Sequence, residues 1–236
     1  MGAFEAGRDR GEAGSQPVPR REALDRGERE VKDQVLRMAS LVERQIRAAI
    51  SALEERDAEL ATRVIAADAT VNDAQRDASA LITLTIATQQ PVARDLRFLL
   101  SLDRVTYELE RIGDHAGDIA KQVRKLADLP LLRPYRELPA MGRIAADLVR
   151  GITSALIEID EALARQVAQG DDAIDHLYHR VFGEVVELMR ADPANVEGGT
   201  RILFAAHDFE RIGDRVTNIA EDVVYLATGE IEDLNP

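Results

Sequence analysis

The chain has 236 residues with no cysteine, 45% hydrophobic and 31% charged residues, and a formal net charge of −13. A chain of this length buries one or two sizeable cores, and the lack of cysteine excludes disulfides, thiolate metal sites and cysteine nucleophiles together. The acidic balance repels phosphate backbones and so disfavours nucleic acid and anionic lipid as partners for the body of the protein, and leaves cations and basic protein surfaces.

Residues 1–27 mix Gly, Pro, Arg and Glu without apolar periodicity and are expected to form a disordered tail. From Val31 the pattern changes: Val31, Val35, Met38, Leu41, Val42, Ile46, Ala49, Ile50 and Leu53 recur at three and four, the spacing of an amphipathic helix. Asp57 stands where the N-cap of a second helix belongs, and Asp160 matches it later in the chain. The second helix runs through Leu60, Val64, Val71, Ala78, Ile82 and Ile86 and stops at Gln89-Gln90-Pro91, because the residue before proline disfavours helix. A third spans Val92 to Ala127. Pro130, Pro134 and Pro139 mark a linker over 130–139. The second half repeats the plan with a helix over 140–168, one over 171–190, a break at Asp192-Pro193, and a last helix that ends near Gly229 before a short tail over 231–236. The expected fold is all-α, with two tandem three-helix bundles over 28–129 and 140–230. Aromatic residues make up only 4% of the chain, which favours close helix packing over a sheet core.

The halves are copies. Residues 108–127 (ELERIGDHAGDIAKQVRKLA) and 208–227 (DFERIGDRVTNIAEDVVYLA) share ten of twenty positions, and residues 51–68 share nine of eighteen with residues 154–171. A period of about a hundred residues implies two similar subdomains.

On a wheel at about 100° per residue, Val105, Leu109, Ile112, Ala116, Ile119, Val123 and Leu126 form the buried face of the third helix. Asp103, Glu110 and Asp114 fall opposite, flanked by Tyr107 and Asp118. In the last helix Glu210, Asp214 and Glu221 fall opposite the core, flanked by His207 and Asn218. Both stripes are expected to point away from their own bundle. A solvated face is the plain alternative. Against it, carboxylates four apart repel, a face selected for solubility would alternate Glu with Lys, and the Glu-x-x-x-Asp pair is duplicated. Gly113 and Gly213 sit mid-helix at a cost of about 1 kcal/mol each relative to alanine, which implies a close neighbour. Carboxylates at this spacing converge on hard cations, so Glu110, Asp114, Asp118, Glu210 and Asp214 are the candidate metal ligands. Arg111 and Arg211 follow each Glu and lie to the side.

The strings ERIGDHAGDIA and ERIGDRVTNIAEDVVYLATGE, the Gln89 to Arg97 string QQP-x-x-x-DLR and the opening RMASLVERQI are four separated strings in order, and together they closely resemble the PhoU family of bacterial phosphate-signalling accessory proteins, over about residues 28–230. The resemblance implies a non-enzymatic negative regulator of phosphate uptake and the phosphate-starvation response. It would bridge the ATPase subunit of the phosphate ABC transporter and a phosphate-sensing histidine kinase, at the inner face of the membrane through these partners. It also implies metal, since some members carry iron or zinc on repeated Glu/Asp-x-x-x-Asp motifs, here Glu110 with Asp114 and Glu210 with Asp214; Mn or Mg would suit the same oxygens. The second helix departs from the pattern, with Asn72, Gln75 and Ser79 at usual carboxylate positions. Asp73 and Asp77 offer a substitute pair that points elsewhere on the wheel. The second unit keeps Asp175 and adds His176 and His179.

A ferritin-like di-iron bundle would also be acidic and helical, but it needs inward Glu-x-x-His pairs. His115, His176, His179 and His207 are preceded at minus three by Ile112, Ala173, His176 and Phe204, so no such pair exists. A helical metal-binding scaffold without a phosphate role remains the alternative. No phosphate loop, nucleophile elbow or dinucleotide fingerprint occurs, so no organic cofactor is expected. No apolar run approaches the roughly 20 residues that span a bilayer, and residues 1–16 lack the apolar stretch of a signal peptide, so a cytoplasmic location is expected. Monomer and homodimer are both open.

Overall fold

The computed structural model describes residues 20–234. Among the described residues seven α-helices follow one another: α1 (Arg20–Glu55), α2 (Ala58–Gln89), α3 (Ala93–Leu126), α4 (Leu138–Glu158), α5 (Glu161–Gln169), α6 (Asp172–Ala191) and α7 (Val196–Thr228), with short 3-10 turns at Arg133–Glu137 and Pro193–Asn195. The first unit is α1 to α3. In the second, α4 matches α1, α7 matches α3, and α5 with α6 fills the place of the single helix α2.

Three boundaries differ from those read in the sequence. Helix α1 begins at Arg20, inside the expected tail, because Leu24 is buried and Arg21 pairs with Asp95 at 2.6 Å. Residues 1–19 of that tail, and 235–236 of the other, lie outside the described residues. The helix expected over 140–168 is two: α4 stops at Ile159, which is left-handed (φ 51), and Asp160 caps α5 by accepting from the Leu163 N–H at 3.0 Å. Its counterpart Asp57 does the same for α2, accepting from Glu59 and Leu60 after left-handed Arg56 (φ 54). The connection between α3 and α4 covers residues 127–137, with Pro139 already in the first turn of α4, and it is packed, since Tyr135 is buried and donates its hydroxyl to the Leu53 carbonyl at 2.6 Å.

Helices α3 and α7 lie antiparallel at the centre of the molecule, and α1 meets α4 beside them. Their apolar faces join one core that runs without interruption from Val31 to Val224. Polar pairs across the α3/α7 seam obey the duplication. His115 meets Asp208 at 3.2 Å, and at the matching place Arg215 meets Glu108 at 3.5 Å. Farther along, Arg104 holds Asp222 at 2.7 Å, and burial pushes the Asp222 carboxyl up to about 6 although Arg104 opposes the rise. The seam closes where Arg97 lies over the Tyr225 ring, 5.5 Å from its centroid, and under Gly229. Gly229 has φ 84, a left-handed conformation that favours glycine, and a Cβ there would push the Arg97 guanidinium aside.

Arg56 performs the analogous service for α3. Its Nη2 donates to the carbonyls of Leu126, Ala127 and Leu129 at 2.5, 2.9 and 2.6 Å, which satisfies the open end of that helix. Arg56→Met keeps the aliphatic stem and deletes these bonds. It should cost about 1–3 kcal/mol, read as a lowered midpoint in thermal denaturation followed by circular dichroism.

Candidate functional site

In the first unit the acidic motif of α3 faces α2. Asp68 stands across from Glu110 and Asp114; burial raises the pKa of both, and the charges of Asp114 on Glu110, of Asp68 and Asp118 on Asp114, and of Asp68 on Glu110 raise them further. A groove of about 220 Å³ opens among Ile65, Asp68, Asp114, Gly117, Asp118 and Lys121. Lys121 Nζ donates to Asp118 Oδ1 at 2.6 Å, and Asn72 Nδ2 donates to Asp68 Oδ2 at 3.2 Å. Gly113 lets α1 and α2 close in, since its Cβ would lie 3.1 Å from Val71 Cγ1 and 3.2 Å from Gln45 Oε1. Gln45 is buried there with no hydrogen-bond partner for its amide.

The second unit carries a denser cluster. Asp171, at the break between α5 and α6, is 5% exposed and projects its carboxylate onto α7 between Glu210 and Asp214, where a Cβ on Gly213 would overlap it. Its Oδ1 has no hydrogen-bond partner. Burial, and then the charges of Asp175, Asp214 and Glu210, push its carboxyl up to about 7. Burial and Asp214 likewise raise Asp175 and Glu210. Two bases stand at the edge: His207 Nδ1 lies 3.2 Å from Glu210 Oε2, and Arg211 donates to Asp214 Oδ2 at 2.5 Å.

The stripe therefore does not point freely outward. Glu210 and Asp214 side chains are only 22% and 26% exposed, because the helix flank that carries them is walled by the outer helix of its own unit. Among the other predicted ligands, Asp118 lines the first groove but is tied to Lys121. Asp73 is exposed and paired with Arg76, and Asp77 is exposed on the same helix. Asp175 joins the second cluster. His179 is exposed on α6, with Nδ1 on the Asp175 carbonyl at 2.8 Å. Asn218 donates to Glu108 across the seam at 3.2 Å and takes no part in the cluster. Among the described residues no three His, Asp or Glu side chains stand close enough together to enclose a metal ion as placed. The crowded carboxylates keep unpaired buried oxygens on Asp68 and Asp171, while Lys121, His207 and Arg211 already stand against Asp118, Glu210 and Asp214. Sequence reasoning passed over Asp68 and Asp171. Their signal was present: each is the final identical residue of the repeat formed by 51–68 and 154–171.

The PhoU domain model matches residues 35–123 and again residues 138–223. The chain belongs to the PhoU family. A phosphate-specific transport system accessory protein PhoU homolog of Clostridium acetobutylicum is 37% identical over 207 residues, covering 87% of this chain and 94% of that one. The Aquifex aeolicus homolog, of the same description, is 37% identical over 202 residues, covering 86% and 91%. Crystal structures of PhoU from Pseudomonas aeruginosa and of the phosphate transport system regulatory protein PhoU from Streptococcus pneumoniae superpose with TM-scores of 0.84 at 33% and 30% identity, covering 87% and 89% of this chain and 99% of each. The two matched segments fall one on each unit, so this PhoU family member carries one domain copy per acidic groove.

Burial, with the neighbouring carboxylates, pushes the Asp171 carboxyl up to about 7 in the folded protein, against about 4 for an unfolded aspartate. The folded state thus binds the proton more tightly, and stability falls as pH rises from about 4 to about 7. With chelator present, Asp171→Asn should remove part of this fall. It should stabilise the protein at pH 8 by on the order of 2–4 kcal/mol, at about 1.4 kcal/mol per pKa unit, and have little effect at pH 4; paired thermal melts at the two pH values measure it.

Proposed function

We propose that this protein is a non-enzymatic regulator of phosphate uptake that restrains the phosphate-starvation response. In this reading it connects the ATPase subunit of a phosphate ABC transporter with a phosphate-sensing histidine kinase. The observation that carries the reading is likeness over nearly the whole described chain to relatives described as accessory and regulatory proteins of phosphate transport. No helix of the described residues is long and apolar enough to cross a membrane, so contact with a transporter would run through its soluble subunit. A cytoplasmic location, peripheral at the membrane through these partners, follows from the same reading.

The acidic grooves supply the recognition chemistry. Oxygen-seeking ions of the Mg, Mn, Fe or Zn class would bind through Asp171, Asp175, Glu210 and Asp214, with Asp68, Glu110 and Asp114 as the counterpart set. Such an ion would neutralise the cluster and order the facing helices. Whatever carboxylate charge remains, within a total of −13, favours basic surfaces on the partners and sets the orientation and rate of encounter more than affinity.

Deleting the gene should raise expression of phosphate-regulated reporters in phosphate-replete cells. Unchanged expression would favour a helical scaffold unrelated to phosphate. The pair Glu210→Gln and Asp214→Asn should weaken capture of the transporter ATPase subunit in a purified pull-down by about tenfold, the scale of one to two disrupted charge contacts. Equal capture by the wild type and this variant rejects the acidic-groove mechanism.

A further inference from the structure

We infer that the first unit holds a binding site for a small amphipathic anion, an acyl carboxylate of medium chain length, in a cavity between α1 and α2. The site is separate from the acidic grooves and does not depend on the phosphate reading.

The cavity has a volume of about 260 Å³, and no carboxylate lines it. Leu41 of α1 and Leu60, Val64 and Val71 of α2 make its apolar walls, while Arg44 joins the lining from α1 and Arg63 from α2. Both arginines are exposed, and neither pairs with a carboxylate among the described residues; Glu59, one turn before Arg63, does not reach it. Arg47, on the next turn of α1, shows the ordinary case, paired with Glu43 at 2.7 Å. In a chain of net charge −13, two unpaired guanidinium groups on one apolar cavity give it a charge opposite to that of the molecule. Gln45 supplies the third element. It lines the cavity at 5% exposure, and neither its Nε2 nor its Oε1 has a hydrogen-bond partner. An amide buried in this way is costly until a polar group meets it.

The duplicate shows the same frame closed. With the offset of 103, Gln45, Ala48 and Ala67 correspond to Leu148, Gly151 and Gly170, and Arg44 and Arg63 correspond to Asp147 and Gln166. In the second unit Val167 lies against Gly151 and Leu148 against Gly170, so closely that a Cβ on either glycine would stand 2.9 or 2.5 Å from the facing side chain. Alanine at both places in the first unit bars that approach, and the space stays open. Asp147, in the place of Arg44, is occupied by Arg150 at 2.6 Å. Apolar filling thus goes with the loss of both arginines and the amide in one unit, and the open cavity goes with all three in the other. A packing defect would not bring two cations and a hydrogen-bonding floor with it.

The dimensions select the ligand. At roughly 30 Å³ per non-hydrogen atom the cavity takes about eight or nine such atoms. From Leu41 to Ala48 it runs about 10 Å along α1, which suits an extended chain of that size and is short for a docked helix. A planar carboxylate matches the guanidinium fork.

Titration calorimetry of the full chain with octanoate tests this, with octanol and acetate as probes that lack the charge and the chain. Octanoate should bind with a Kd on the order of 0.1–1 mM, the strength that so few atoms supply, and octanol and acetate should bind at least about tenfold more weakly. Arg44→Gln and Arg63→Gln, at exposed positions that the core does not use, should each weaken octanoate by about tenfold. Arg47→Gln should leave it within about twofold. Gln45→Leu, which copies the second unit, should abolish binding and raise the thermal midpoint. Wild type that takes up no octanoate at tens of times the expected Kd would overturn the site. So would octanol that binds as tightly as octanoate, or a loss from Arg47→Gln equal to that from Arg44→Gln.

Discussion

The packing of α3 against α7 is the constraint on which the molecule depends. These two helices are the centre of a single core, yet they also carry the duplicated carboxylates. A helix can serve both ends only if its charged flank is partly walled, because its apolar stripe and its seam with the other unit already use most of its surface. The carboxylates are consequently half-buried, and their proton affinities rise through burial and through one another. Glycine at 113 and 213 is the local solution, since both positions bring a neighbouring side chain against bare helix backbone.

Duplication copied the scaffold faithfully and the chemistry loosely. The N-caps Asp57 and Asp160, the left-handed residues before them and the paired contacts across the seam all recur. The outer helices do not. Helix α2 continues through Asp68, whereas its counterpart breaks at Gly170, where a Cβ would strike Leu148 Cδ2. That break turns Asp171 into the interior, while Asp68 stays half-exposed. One backbone difference in an outer helix thus changes the electrostatics of a groove whose other wall keeps the same Glu-x-x-x-Asp pair.

Most of the fold was legible in the sequence because it rests on periodicity. The apolar spacing from Val31 to Leu53, the caps at Asp57 and Asp160 and the stop at Gly229 are local signals, and the structure follows them. The start of α1 was not legible, because Arg21 to Glu30 is held by contacts such as Arg21 to Asp95 that lie far apart in sequence. The site was half legible. A wheel for one helix identifies Glu110, Asp114, Glu210 and Asp214 as a set but cannot place the helix that walls them in. The outward orientation failed for that reason, and Asp68 and Asp171 were passed over for the same one. Family membership was legible from separated strings in order, because it needs no tertiary information.

The matched pairs across the seam, His115 with Asp208 and Arg215 with Glu108, bear on how the two units associate. Contacts that exchange places under a half-turn are those of an isologous association between identical subunits. The two units therefore meet as two identical half-length chains would in a symmetric dimer, but within one chain. Each half can mutate without imposing the same change on its twin, a freedom no symmetric dimer has.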